Sequence, residues 1–301
     1  MAKEYFINKV LPTTVVGSYP VVKGGGLRNL FDPLHTAVET AVDDQIKAGI
    51  DIISDGQVRG DMIQVFASKL PGIKGQEVTG QIQPASGPIT VGDTRYALMK
   101  APKVKGIITG PTTLAHGLHI STPMYRSREE LALDLAAALI PEAKALEAAG
   151  ITLLQIDEPM FSTGMSDLEI GKKAIGFITA ALHVPTCLHV CGNLGNVIDE
   201  ILKFNVNVLD FEFANNPANI DLLSRRDLAG RMIGYGCVNS ASETVETAAE
   251  IRKRIEIGIE IFDPRVMLLD PDCGMRMRSH DVAFRKLKNL AIAAKEVRLA
   301  L

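Results

Sequence analysis

Short apolar, β-branched segments alternate with helix-length amphipathic segments along this 301-residue chain, and the alternation repeats eight times. Several amphipathic segments end at a glycine directly before the next apolar segment, as at Gly49 and Gly150, where a left-handed helix C-cap is typical. The eight predicted strands are TVVGSY (14–19), DIISD (51–55), VKGIITG (104–110), LLQIDE (153–158), CLHVCG (187–192), VLDFEF (208–213), MIGYGCV (232–238) and VMLLDPDCG (266–274).

This pattern predicts an α/β fold, a single (β/α)8 TIM barrel. Each parallel strand needs a crossover connection, and closing the sheet removes its edges. Barrels of this kind often reach about 250 residues or more, so we predict one catalytic domain over residues 1–301. Within residues 67–101, QEVTGQIQ and ITVGDTRYALM flank PASGP and predict a β-hairpin inserted between strands two and three. An open doubly wound sheet is disfavoured because VGSYPVVKGGG lacks the G-x-G-x-x-G order.

Charge and composition exclude several classes of function. The formal net charge is −3, and no basic run is present that would neutralise a nucleic-acid backbone. MAKEYFINKVLP has no signal-peptide core, and no segment approaches the roughly 18 uninterrupted apolar residues of a membrane span. Four scattered cysteines are too few for a disulfide framework. We therefore expect a cytoplasmic protein with reduced thiols that binds neither nucleic acid nor membrane.

Reactive side chains cluster where the predicted strands end, which is where barrel enzymes carry their chemistry. In CLHVCGN, Cys187, His189 and Cys191 share one strand face, a pattern that fits either a packed core or a metal site. Glu212 and Cys273 end two further strands. Two thiolates, one imidazole and one carboxylate form a tetrahedral set for Zn²⁺, so we predict zinc bound by His189, Cys191, Glu212 and Cys273. Cys187 lies deeper and is interpreted as core.

Seven motifs occur in the order found in the catalytic half of cobalamin-independent methionine synthase. They are GSYP (17–20), DGQVRGDM (55–62), TGPTTL (109–114), QIDEP (155–159), HVCGN (189–193), FEFA (211–214) and LDPDCGMR (269–276). The sequence resembles this family over roughly residues 12–278, and the combination of HVCGN with DPDCG is specific. The resemblance implies a zinc-dependent methyltransferase of methionine biosynthesis that bears the same four zinc ligands and uses homocysteine as its acceptor.

The resemblance also implies where the substrate binds. Homocysteine would lie near the segment matching Val16–Ser18, and Asp157 would pair with its ammonium group. Gln57 stands at a substrate-binding position where the family usually has Glu. Asn239 stands where the longer enzymes place a histidine after strand seven, and we predict catalytic roles for Asp157 and Asn239.

The methyl donor is expected to differ from that of the longer enzymes. Those enzymes stack the folate ring on a Trp just after the segment matching TGPTTL, whereas this chain has no Trp and has Gly117 at that place. They also carry a second, N-terminal barrel, and here the first predicted strand begins at residue 14. We therefore expect a methylated corrinoid as donor, either methylcobalamin or a corrinoid protein over the barrel mouth, rather than methyltetrahydrofolate.

Three alternatives remain open. Zinc-dependent methyltransferases of the uroporphyrinogen-decarboxylase superfamily, including those acting on coenzyme M, also use H-x-C with a later Cys. A site for a sulfonate acceptor would favour an added cation, and the neutral Gln57 slightly favours such an acceptor. The motifs GSYP, DGQ and IDEP favour homocysteine. A non-catalytic barrel that binds zinc or a corrinoid protein is the second alternative. For Asp55 and Arg59, an ion pair that braces the loop competes with a substrate role.

Overall fold

The computed structural model describes residues 7–25 and 30–301 of the chain. Its strands are β1 (Ile73–Lys74), β2 (Glu77–Val78), β3 (Lys105–Thr109), β4 (His119–Ile120), β5 (Leu153–Asp157), β6 (Thr186–Val190), β7 (Val208–Glu212), β8 (Met232–Val238) and β9 (Met267–Pro271). Its α-helices are α1 (His35–Ala48), α2 (Gln64–Ala67), α3 (Val91–Lys100), α4 (Pro111–His116), α5 (Arg128–Ala149), α6 (Leu168–Thr179), α7 (Ile198–Ile201), α8 (Ala218–Leu223), α9 (Ala248–Ile259) and α10 (His280–Ala300), and a 3₁₀ helix spans Pro159–Thr163.

A parallel barrel sheet organises these elements. Six strands pair in the order β3-β5-β6-β7-β8-β9, every pair parallel. Residues 13–14 form parallel bridges to β9 on one side and to Ile52 on the other, and Ile53 bridges to Val104 directly before β3. Eight parallel segments thus follow one another around a ring, and the predicted barrel is confirmed, with its first two strands reduced to short bridges.

The excursion between the second and third barrel segments contains a β-hairpin, but its pairing differs from the prediction. β1 and β2 form an antiparallel pair, and β2 also pairs in parallel with β4. ITVGDTRYALM, predicted as a strand, instead contains α3, because Val91, Thr94 and Ala97 are buried at a helical spacing of three residues. A hairpin is therefore present within 67–101, whereas the predicted pairing of QEVTGQIQ with ITVGDTRYALM across PASGP is wrong.

The lower part of the barrel is filled by apolar side chains. Cys187 is fully buried and packs in one cluster with Ile52, Leu153, Val208 and Leu268, at the N-terminal ends of the strands. Cys187 is thus a core residue, as predicted from its position on the strand. In the described part of the chain, each helix is too short or too polar to cross a bilayer.

Candidate metal centre and substrate cavity

One imidazole and two thiols converge at the C-terminal ends of two barrel strands. His189 lies in β6, Cys191 follows directly after β6, and Cys273 follows β9. The ligand atoms of these three side chains all lie within 4.8 Å of one another. Three of the four predicted zinc ligands are therefore brought together.

Glu212, the fourth predicted ligand, stands beside this group. It ends β7, the neighbour of β6, and its side chain is buried. Its carboxylate accepts a hydrogen bond from Nδ2 of Asn216 at 2.5 Å, and within residues 7–25 and 30–301 the 4.8 Å group does not include it. Its role as a ligand stays a prediction.

The donor set fits a thiophilic cation. A hydrogen bond from the Cys273 thiol to Cys191 and burial together raise the pKa of Cys273 well above its usual range, so this thiol favours its neutral form in the protein alone. A bound cation reverses this preference because it stabilises thiolates directly. Neither ring nitrogen of His189 makes a hydrogen bond among the described residues; Nδ1 faces Oδ2 of Asp210 at 3.2 Å, which leaves Nε2 free to coordinate.

A cavity of about 300 Å³ opens over this group. The predicted substrate-binding residues and the three clustered candidate ligands all line it. Those residues are Val16, Ser18, Gln57, Asp157, His189, Cys191 and Cys273. The predicted substrate residues and the candidate ligands therefore share one cavity.

Asp157 is held at the end of β5 by a chain of side chains inside the barrel. Gln155 donates from Nε2 to Asp157 Oδ1 at 2.6 Å and to the carbonyl oxygen of Val16 at 2.7 Å. The buried Lys105 donates to Gln155 Oε1, which fixes the orientation of the amide. Burial raises the pKa of Asp157. The carboxylate thus has a defined position and lacks full compensation for its charge.

Gln57 approaches the first barrel segment because Gly17 has no side chain. A Cβ at Gly17 would lie 2.5 Å from Gln57 Oε1. The loop around Gln57, whose φ is 45°, is held by Arg276, which follows β9. This guanidinium donates from Nη1 to the carbonyl oxygens of Gln57 and Gly60 at 2.9 and 2.6 Å. Gly17 and Arg276 therefore set the position of Gln57 in the cavity.

Asn239 has a structural role in this geometry. Its side-chain oxygen accepts from the backbone N–H groups of Ala241 and Ser242 at 2.9 and 3.1 Å, and it is not among the described residues that line the cavity. Lys286 donates to its carbonyl oxygen. The side chain of Asn239 shapes the loop after β8, and its catalytic role stays a prediction.

Arg59 braces the loop through ion pairs with residues other than Asp55. It forms a bidentate pair with Asp32 at 2.8 and 2.7 Å and also pairs with Asp93. Asp272 lies at the end of a predicted strand, but the sequence pattern assigns it no role. Its carboxylate accepts from three successive backbone N–H groups, residues 213–215, and so fixes the loop after β7 beside Cys273. Its place in DPDCG, directly before a predicted ligand, was the available signal.

Fold and site together define a class: an α/β-barrel enzyme with a His-Cys-Cys group at the floor of its substrate cavity. A family model described as the catalytic domain of cobalamin-independent synthase matches residues 11–296, and the chain belongs to this family. It is a methyltransferase of the methionine synthase type, which confirms the predicted family and enzyme class.

Individual relatives agree with this assignment. The chain is 43% identical to methionine synthase of Methanocaldococcus jannaschii, with 95% of this chain and 99% of the relative covered. It is 42% identical to methionine synthase of Methanothermobacter thermautotrophicus, with 94% and 99% covered. Among solved structures, a B12-independent methionine synthase from Shewanella sp. W3-18-1 in complex with selenomethionine matches with a TM-score of 0.87 and 26% identity, over 97% of this chain and 100% of that one.

Proposed function

We propose that this protein is a zinc-dependent methyltransferase that forms methionine from homocysteine. The observation that carries the proposal is that one cavity contains both the His189, Cys191 and Cys273 group and the buried Asp157. A thiol-binding metal next to a carboxylate suits an acceptor that has a thiol at one end and an ammonium group at the other.

Zinc suits this donor set, since it combines imidazole, thiolate and carboxylate ligands in one coordination shell. Glu212 would be the fourth ligand. When bound, zinc supplies positive charge that keeps a coordinated substrate thiol deprotonated at neutral pH.

The chain's own residues orient the acceptor. Asp157 pairs with the ammonium group, and Ser18 with the adjoining backbone from Val16 receives the carboxylate. The substrate sulfur then faces the donor's methyl carbon. As the new sulfur–carbon bond forms, the bond between methyl and donor breaks and its electron pair leaves with the donor.

The charges of the cavity favour homocysteine over coenzyme M. Arg59 is already paired with Asp32 and Asp93. Arg276 donates to backbone carbonyl oxygens of the Gln57 loop. Both lining arginines are thus committed to bracing the cavity walls, whereas the buried Asp157 has no ion-pair partner in the described part of the chain. An ammonium group satisfies Asp157, and a sulfonate does not.

For the donor, we propose a methylated corrinoid. A Cβ at Gly117 would lie 2.7 Å from Cδ1 of Ile63, so Ile63 fills the space beside the position where the longer enzymes carry a stacking Trp. Without that aromatic surface a pterin loses roughly 0.5–1.5 kcal/mol of stacking. A methyl group on cobalt is also far more reactive than one on the tertiary amine of methyltetrahydrofolate, so it needs less help from the protein.

An activity matrix tests acceptor and donor together. Homocysteine, coenzyme M and 2-mercaptoethanol would each be combined with methylcobalamin, a methylated corrinoid protein or methyltetrahydrofolate, with the zinc content of the same sample measured. We expect homocysteine to be the best acceptor and a corrinoid the best donor. Faster methylation of coenzyme M, or faster transfer from the folate, would contradict the respective assignment. Zinc binding without methylation of any thiol would indicate the non-catalytic barrel.

A further inference from the structure

The cavity contains a second buried carboxylate, Asp55, that the reaction described above does not use. Its side chain is 8% exposed and lies in the same cavity lining as Asp157 and the metal-binding group. Among the charged residues of that lining, Asp93 is neutralised by Arg59. Asp61 is exposed and caps the backbone at Ile63 and Gln64. Asp55, by contrast, is buried and has no ion-pair partner within the described residues.

The immediate contacts of Asp55 leave its charge largely unbalanced. Oδ1 accepts from the backbone N–H of Gln57 at 2.9 Å, and Oδ2 accepts from Thr94 Oγ1 at 3.4 Å. Within the described chain, no cation lies at ion-pair distance, because the nearby Arg59 pairs with Asp32 and Asp93. Burial raises the pKa of Asp55 to about 6, and the neighbouring Asp93 adds to the shift. A buried carboxylate without a cation destabilises the folded state, so fold stability does not account for it.

The backbone holds Asp55 rigidly beside the first barrel segment. Gly56 has a φ of 81°, and a Cβ there would lie 2.4 Å from that of Ala41. The carbonyl oxygen of Gly56 accepts from the N–H of Tyr19 at 2.8 Å, directly after Ser18. Asp55 is therefore fixed to the same segment that is proposed to receive the carboxylate of the acceptor.

We propose that Asp55 is the second carboxylate of an ammonium-binding site and determines the enzyme's preference for amino-acid thiols. The proposal rests on the proposed homocysteine methylation and adds to it a residue that selects the acceptor. An ammonium group has several N–H donors and no acceptor, so Asp55 and Asp157 can bind it together. The charge missing at the neutral Gln57 is then supplied two residues earlier in the same loop.

The test compares Asp55→Asn with wild type on two acceptors that differ only in the amine: homocysteine and 4-mercaptobutanoate. We expect the variant to retain its zinc and to raise the KM for homocysteine at least about tenfold, the lower end for a lost charge-assisted hydrogen bond. Its kcat/KM for 4-mercaptobutanoate should stay unchanged or rise. Asp61→Asn, which removes an exposed carboxylate from the same cavity lining, is the matched control and should alter neither acceptor.

An equal loss on both acceptors, or no change on homocysteine, would overturn the assignment of Asp55. Calorimetric binding of the two thiols to the zinc-loaded protein separates this result from failure of the proposed function. If wild type binds homocysteine more tightly than 4-mercaptobutanoate but methylates neither, the proposed function fails. The role of Asp55 is then still decided by whether Asp55→Asn loses the preference for homocysteine in binding. If wild type shows no preference for the amine, the ammonium site is wrong.

Discussion

Oδ2 of Asp210 lies 3.2 Å from Nδ1 of His189, and both side chains are almost completely buried on adjacent barrel strands. The two atoms are close enough for an ion pair but are not aligned as a hydrogen bond. A carboxylate at one ring nitrogen of a metal-binding histidine fixes the ring and increases the basicity of the other nitrogen. Asp210 thus positions His189 from below the candidate metal centre.

Asp210→Ala should weaken zinc binding by about 10–100-fold, the usual effect of removing such a partner. Asp210→Asn keeps the shape of the side chain and removes its charge, so we expect an intermediate loss. Competition with a chromophoric chelator measures both affinities. Wild-type affinity in the alanine variant would show that Asp210 does not support His189.

Cys191→Ser and Cys273→Ser should each lose zinc and methyl transfer, because a serine hydroxyl is a poor substitute for a thiolate ligand. Cys187→Ala is the matched control. Its thiol lies in the apolar cluster at the opposite end of the strand, so zinc content should stay near one per chain. Metal analysis of the three purified variants decides the point, and full zinc retention in Cys273→Ser would refute the ligand assignment.

Asp157→Asn should retain zinc and bind homocysteine more weakly. Loss of a charge-assisted contact is worth about 1.5–3 kcal/mol, or roughly 10–150-fold in affinity. Titration calorimetry with the zinc-loaded variant measures this directly. Normal homocysteine binding would instead favour an acceptor that lacks an amino group.

The stability of the protein should carry a pH signature of Asp55. Its folded pKa of about 6 lies above the ordinary value of 3.8, so the folded protein favours the protonated carboxyl. The contribution of the protonated Asp55 carboxyl to the free energy of unfolding is complete below about pH 4 and is lost as the pH rises through 6. Asp93 and Arg59 are the charged groups that face this carboxyl. Asp55→Asn should therefore be more stable than wild type at pH 7.5, by up to about 3 kcal/mol.

Urea unfolding of wild type and Asp55→Asn at pH 4.5 and pH 7.5 measures how the effect of the substitution on the free energy of unfolding changes with pH. Any metal loss at the lower pH affects both proteins alike. A variant that is less stable than wild type at pH 7.5 would mean that Asp55 stabilises the fold, with a partner that outweighs its burial.

The barrel and the grouping of the His-Cys-Cys side chains were predictable from the sequence because both depend on local pattern. Buried parallel strands appear as short apolar runs, and parallel strand ends meet at one rim, so the sequence alone groups His189, Cys191 and Cys273. The core position of Cys187 was predicted from the same alternation, because Cys187 lies two residues before His189 on the same strand face.

The errors arise where distant contacts decide local structure. ITVGDTRYALM is rich in residues that favour strands, yet the backbone N–H groups of Ile89 and Thr90 donate to Glu142 on α5, at 2.7 Å each. This contact spans more than fifty residues and is not visible in the local pattern. The loop that uses the Asn239 side chain depends on a similarly distant contact, since the buried Lys286 on α10 anchors it, and the catalytic role of Asn239 stays a prediction.

Zinc-dependent methyl transfer can be tested by measuring methionine formation from homocysteine and methylcobalamin while zinc is removed stepwise with a chelator and then restored. We expect the rate to fall in proportion to the zinc content, to vanish in the metal-free protein, and to return when about one zinc per chain is added back. An undiminished rate in protein shown by metal analysis to contain no zinc would contradict this expectation.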